Sequence, residues 1–337
     1  MPVSVEHSSE HSDGSIAGGE EALPAAAKLP SGWLSRWPWV TFILPMAIYM
    51  ALGTCEPAPP QSAVSRQQNR DETGGDNPGN DDGENYDGGN TEEVLSDAEG
   101  LEEVGAESGS WWPLPYRFYP HVYTAKIVLT LLAILLVWPG YRTFPFRLSW
   151  LSVVVGVVGV VLWVGICHLN LEIKIIGPVD RFLGRLIPGL EEGETPSVGL
   201  VSLLGLGQRS AFNPIAQLAG TPGWAYAFLA IRFVGLALLV PVLEEFFLRG
   251  FVMRYVIHPQ WWQVPFGSVN STAVIIGTLV PMMMHPGVEL FAAMIWFSMV
   301  TWLMVHTRNI WDCVVAHAVT NLLLGIYVVT CDQWQLM

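Results

Sequence analysis

The stretch WLSVVVGVVGVVLWVGIC, Trp150–Cys167, decides the fold class. It runs for eighteen residues without one charged side chain. A bilayer span needs ~20 mostly apolar residues, and within hydrocarbon a helix satisfies its own backbone groups. Six further apolar runs surround it: Trp37–Gly53, Tyr123–Trp138, Trp224–Leu243, Ser271–Met284, Leu290–Val305 and Ile310–Thr330. An amphipathic piece, Phe246–Ile257, extends the fourth of the seven. The predicted fold is all-α, a polytopic membrane helix bundle with seven or eight transmembrane helices and a disordered acidic loop.

Composition agrees. Of 337 residues 51% are hydrophobic and only 14% charged, too apolar for an ordinary soluble protein. The net charge of −14 belongs to one segment: between Glu56 and Ser110 lie fifteen acidic residues and two basic ones. The rest is close to neutral, which gives no reason to expect a nucleic-acid partner. The acidic stretch (GGDNPGNDDGENYDGGN) buries too little apolar area to offset ordering entropy and is predicted disordered. The expected organisation is a disordered tail over 1–36, a first transmembrane helix over 37–54, the acidic loop over 55–115 and a polytopic domain over 116–337. Residues 168–223 form a longer connection with an amphipathic stretch, VDRFLGRLIPGL, expected at the interface or re-entering the membrane. Four cysteines, Cys55, Cys167, Cys313 and Cys331, show no CxxC spacing, so neither a disulfide framework nor a zinc cluster is expected from them.

Lys28, Arg36, Arg142, Arg147, Arg249, Arg254 and Arg308 fall in every second connection between successive spans and so on one side, whereas Lys174, Arg181, Arg185 and Arg209 in 168–223 fit this pattern less well. The positive-inside rule then puts the N-terminus in the cytoplasm and the acidic loop outside. Trp37, Trp39, Trp111, Trp112, Trp261 and Trp262 stand at span ends, as interfacial anchors do.

Ionisable groups inside spans cost roughly 2.5–3.5 kcal/mol at helix centre and face cavities or one another. The candidates are Arg232, Glu244, Glu245, Arg249, His285, Glu289, Asp312 and His317, with Asn321 as a neutral companion. In VPVLEEFFLRGF, Val240–Phe251, Glu245 and Arg249 stand at i, i+4 with the acid first, the favoured orientation for a pair. Glu244 falls about 100° round the helix, without that cation, a setting suited to a general base. A charge cluster at a helix end is the competing structural reading. His317 and Asn321, also at i, i+4, share one face and offer donors to an oxyanion or to a neighbouring helix. His285 ends the fifth span in LVPMMMHPGVE.

Taken in order, EExxxR (Glu244, Glu245, Arg249), His285 and HxxxN (His317, Asn321) resemble the three signatures of the CPBP family. These are intramembrane proteases of the CAAX prenyl endopeptidase type II class, also called Abi. WLMVHTRNIWDCVVAHAVTN resembles that family's sixth helix, turn and seventh helix. HAVTNLLLGIYVV, DQWQ, RYVI and WWQVPFG resemble its branch of CAAX protease-related proteins associated with bacterial exosortase sorting systems. The likeness covers roughly 225–337 well and 120–224 loosely. It implies that Glu244 activates water beside His285. It also implies that Glu245 and Arg249 orient the site, while His317 and Asn321 hold the oxyanion. Pro281 stands where the family commonly has Phe, and Met284 where the branch often has an acid.

The expected function is an intramembrane endopeptidase in a bacterial inner membrane, without a cofactor. Its expected partners are membrane lipid, a membrane-anchored protein or peptide substrate and exosortase components. Glu244, His285 and His317 are also the right ligand types for a catalytic zinc, without an HExxH. A non-proteolytic scaffold or immunity-type protein is the alternative; a proton-coupled transporter lacks the inverted repeat of acids it would need. One tension remains: a 14-residue fifth helix is ~21 Å long. His285 at its far end then lies distant from Glu244 and His317, unless that helix is short and starts deep.

Overall fold

The computed structural model describes residues 32–57, 114–186, 212–285 and 289–336. Among these every regular element is helical. After a one-turn helix at Trp33–Arg36 come α1 (Val40–Gly53), α2 (Tyr119–Tyr141), α3 (Trp150–Leu169) and α4 (Leu171–Leu186). A turn at Pro214–Gln217 precedes α5, one unbroken helix over Pro222–Ile257. The chain closes with α6 (Ser271–Met284), α7 (Leu290–Thr307) and α8 (Ile310–Cys331). The expected disordered tail and acidic loop lie almost wholly outside the described residues.

Among the described residues five helices are long and apolar enough to cross a membrane: α2 with its leading turn, α3, α5, α7 and α8. The chain is a multi-pass membrane protein. The apolar helices α1 and α6 have 14 residues each, ~21 Å against a hydrocarbon core of ~30 Å. Phe246–Ile257 is the last third of α5, extending it rather than forming a span of its own.

The packing is set by small residues where helices touch. Thr320 on α8 donates to Gly156 O of α3 at 2.8 Å. A Cβ at Gly156 would meet Ala316 O at 2.7 Å, and one at Gly159 would meet the Trp296 indole nitrogen at 2.5 Å. Only glycine lets α3 lie this close to α7 and α8. Helix starts are capped across the bundle. Asp312 accepts Ser149 N–H at 2.8 Å, and Asn309 accepts Trp311 N–H at 3.2 Å, satisfying donors that a helix start leaves open. Asp312, a candidate by burial, is thus a cap for α3. Arg232 donates to Phe212 O at 2.8 Å.

Two turns of α5 are widened to i→i+5 bonding: Gly235–Leu239 and Phe246–Val252. Pro241, with no N–H, explains the first. Val240 N–H bonds to Gly235 O. The next carbonyl, Leu236 O, would need a donor from residue 241, which is proline.

Candidate functional site

The site grows from the second widened turn. Glu245 ends the α-helical piece and Arg249 lies inside the widened turn, both wholly buried. Their side chains close an ion pair at 2.6 Å between Oε2 and Nη1, without the alignment of a hydrogen bond. Arg249 also donates from Nη2 to Phe297 O at 3.2 Å and lies 5.5 Å over that phenyl ring. Widened turns of this kind are frequent at functional sites.

Glu245 has a second partner. Its Oε1 is 2.9 Å from Nδ1 of His317 on α8, a side chain that is itself 6% exposed. A carboxylate only accepts, so Nδ1 carries the proton and Nε2 is left for chemistry. Trp296 packs edge-on to the His317 ring, centroids 4.6 Å apart, and its own N–H is spent on Thr320. His317 is the eighth residue of α8, ~10 Å along the helix axis, well inside the bundle.

Asn321, one turn further, donates from Nδ2 to Leu236 O at 2.9 Å. It fills the carbonyl that Pro241 leaves without a backbone donor. One of its two amide hydrogens remains for another acceptor.

His285 follows the last turn of α6. Its backbone N–H bonds to Met282 O, so Pro281 O is left to accept from the ring's Nδ1–H at 2.8 Å. The ring folds back along the helix. It lies 5.5 Å from the Phe297 ring, and His317 lies 6.2 Å from the same ring. The two imidazole centroids are therefore at most about 12 Å apart. The short α6 and the folded-back ring together bring His285 onto the same phenyl ring that His317 meets. Trp163 of α3 flanks His285 at 5.7 Å, its buried indole N–H without a hydrogen-bond partner among the described residues.

Glu244 points elsewhere. It is half-buried, and among the described residues it makes no hydrogen bond or ion pair. Its electrostatic neighbour is Tyr49 of α1. Of the six residues in the three motifs, Glu245, Arg249 and His317 are in direct contact. Asn321 adjoins them, His285 joins through Phe297, and Glu244 occupies the neighbouring face. The carboxylate touching an imidazole is Glu245 rather than Glu244. Phe297, Trp296 and Trp163 went unsingled by sequence, since an aromatic in an apolar span carries no signal of its own. Among the described residues no three His, Cys, Asp or Glu side chains converge as a ligand set.

No curated protein and no solved structure matches the chain. Residues 226–323, under a third of its length, match the family described as type II CAAX prenyl endopeptidase Rce1-like. All six motif residues fall inside that stretch. Over the helices that hold them, this multi-pass helical membrane protein is similar to the CAAX-type intramembrane proteases, a likeness that supports a peptidase.

Proposed function

We propose that the chain is an intramembrane endopeptidase that hydrolyses a peptide bond of a membrane-anchored protein or peptide at the depth of His317. The observation that carries this reading is the wholly buried Glu245–Arg249–His317 cluster next to a second carboxylate, Glu244, that no described cation balances. Burying ionic groups in an apolar bundle is expensive, and such groups in spans serve function by default.

The roles of Glu244 and His285 are those the family resemblance implies, while the contacts of Glu245, Arg249 and Asn321 support theirs. Glu244 takes a proton from water as the oxygen attacks the scissile carbonyl, and later passes it to the leaving amine. His285, with Nδ1–H on Pro281 O, presents the Nε2 lone pair to that water. The remaining Asn321 amide hydrogen, and Nε2–H of His317 when both of its ring nitrogens carry protons, donate to the developing oxyanion. Arg249 fixes Glu245. Exclusion of bulk water strengthens each of these electrostatic contacts. No cofactor takes part; metal content after chelation, measured beside activity, tests this against a zinc-bound form. The resemblance to the exosortase-associated branch suggests a sorting system in a bacterial inner membrane as the setting.

The 2.9 Å contact between His317 and Glu245 favours a second assignment within the same reaction, with His317 as base and Glu245 as its orienting acid. Glu244→Gln separates the two. The first assignment expects cleavage about 10²–10⁴-fold slower with the protein inserted normally; the second expects near-normal cleavage. The readout is new N-termini among membrane proteins, compared between a deletion strain and its complemented variants. Undiminished cleavage in both Glu244→Ala and His317→Ala would remove the peptidase reading and leave a scaffold.

A further inference from the structure

The helix α4 has three faces, and its charges are sorted between them by sign. Both acids turn inward: Glu172 is wholly buried and Asp180 is 3% exposed. All three bases turn outward, with Lys174, Arg181 and Arg185 exposed. Spaced seven and four residues apart, these bases form one stripe. Ile175, Val179, Phe182 and Leu186, spaced four, three and four, form a second exposed stripe. On a helix of 3.6 residues per turn the stripes are centred about 110° apart. No exposed carboxylate interrupts either one.

This pattern differs from the lipid-facing side of a span. Exposed Leu131, Leu132, Leu135 and Leu136 on α2 have no charged neighbour on that face. At 16 residues, with Pro178 inside, α4 is ~24 Å long and is not among the candidate spans. It also leaves the direction of α3 at once, through Asn170 in the left-handed region (φ 47°). An apolar stripe beside a purely basic one is what a helix lying in the membrane–water boundary requires. Its apolar side chains enter the acyl edge and its cations meet phosphates.

We infer that α4 is an interfacial helix whose Lys174–Arg181–Arg185 stripe binds the headgroups of anionic phospholipids. The surface is tied to the core by Glu172, whose Oε1 accepts Phe291 N–H at 3.1 Å at the start of α7. That helix carries Phe297, the ring between His285 and His317. Lipid docking thus bears on the helix that spaces the two imidazoles. The inference does not rest on the peptidase reading.

The test uses the full chain in nanodiscs, with Cys55→Ser, Cys331→Ser and an environment-sensitive fluorophore on Phe182→Cys. Cys167 and Cys313 are buried. In phosphatidylcholine the label should emit as from an apolar boundary. Added phosphatidylglycerol should shift it further to the blue, and salt should reverse that added shift. Lys174→Gln/Arg181→Gln/Arg185→Gln should abolish the phosphatidylglycerol response while keeping the emission seen in phosphatidylcholine. A label in bulk water in either lipid overturns the inference. So does an equal phosphatidylglycerol response in the triple variant. An unchanged thermal midpoint in that variant assigns a lost response to lipid contact, and a lowered midpoint with the response intact counts against it.

Discussion

Two buried cations in this bundle are treated differently. Lys126 on α2 pairs with Glu56 just past α1 and lies 4.5 and 4.7 Å from the Tyr49 and Tyr123 rings. Arg249 on α5 pairs with Glu245, and that acid is shared with an imidazole. The first cluster is closed: one cation, one carboxylate, two aromatic faces. Its acid keeps 21% of its side chain exposed, so it retains some water. The second is wholly buried and has an imidazole as its third member, and next to it on the chain stands a carboxylate with no described hydrogen bond or balancing cation. Burial of charge alone therefore does not mark chemistry. Under the proposed function, a shared acid and an unbalanced neighbour do.

The largest effect should come from Glu245→Ala. It strands Arg249 as an unpaired, wholly buried charge, at a cost of about 3–5 kcal/mol, visible as a sharply lowered thermal midpoint in nanodiscs. Glu245→Leu combined with Arg249→Met removes both charges. It should recover most of that loss while cleavage stays absent. If the double variant is as unstable as the single one, the cost lies in packing and the contrast with Lys126 dissolves. Lys126→Met should cost about 1 kcal/mol or less, because Glu56 can turn to water and the methionine still packs between the tyrosines. A loss as large as that of Glu245→Ala would make the two clusters equivalent. The smallest effect on stability belongs to Glu244→Gln, within about 0.5 kcal/mol, since no described cation depends on that carboxylate. A marked fall in midpoint there would reveal a structural partner for Glu244.

The sequence made much of this visible. The charge-free run Trp150–Cys167 set the helix-bundle class, and the i, i+4 spacing of Glu245 and Arg249 anticipated their ion pair. It did not say which of two adjacent glutamates meets His317. That depends on helical phase, and the phase is set by the widened turns at Gly235–Leu239 and Phe246–Val252. Pro241 hints at the first of these, but the second has no local marker. His285 looked remote because distance was counted along the helix axis. The folded-back ring depends on Pro281 O lying free, which comes from the turn's own hydrogen bonding. The acid-in, base-out sorting of α4 was half visible, as an amphipathic stretch whose inward face only tertiary packing identifies.

The widened turn before Pro241 also gives α5 slack. A turn bonded i→i+5 holds one residue more than an ordinary one, so it absorbs an insertion without rotating the rest of the helix. Removing a single residue from Gly235–Leu239 would tighten that turn, yet the downstream glutamates would keep their bearing toward α8. Chains whose corresponding helices differ in length by one position can therefore preserve the same arrangement of charged side chains.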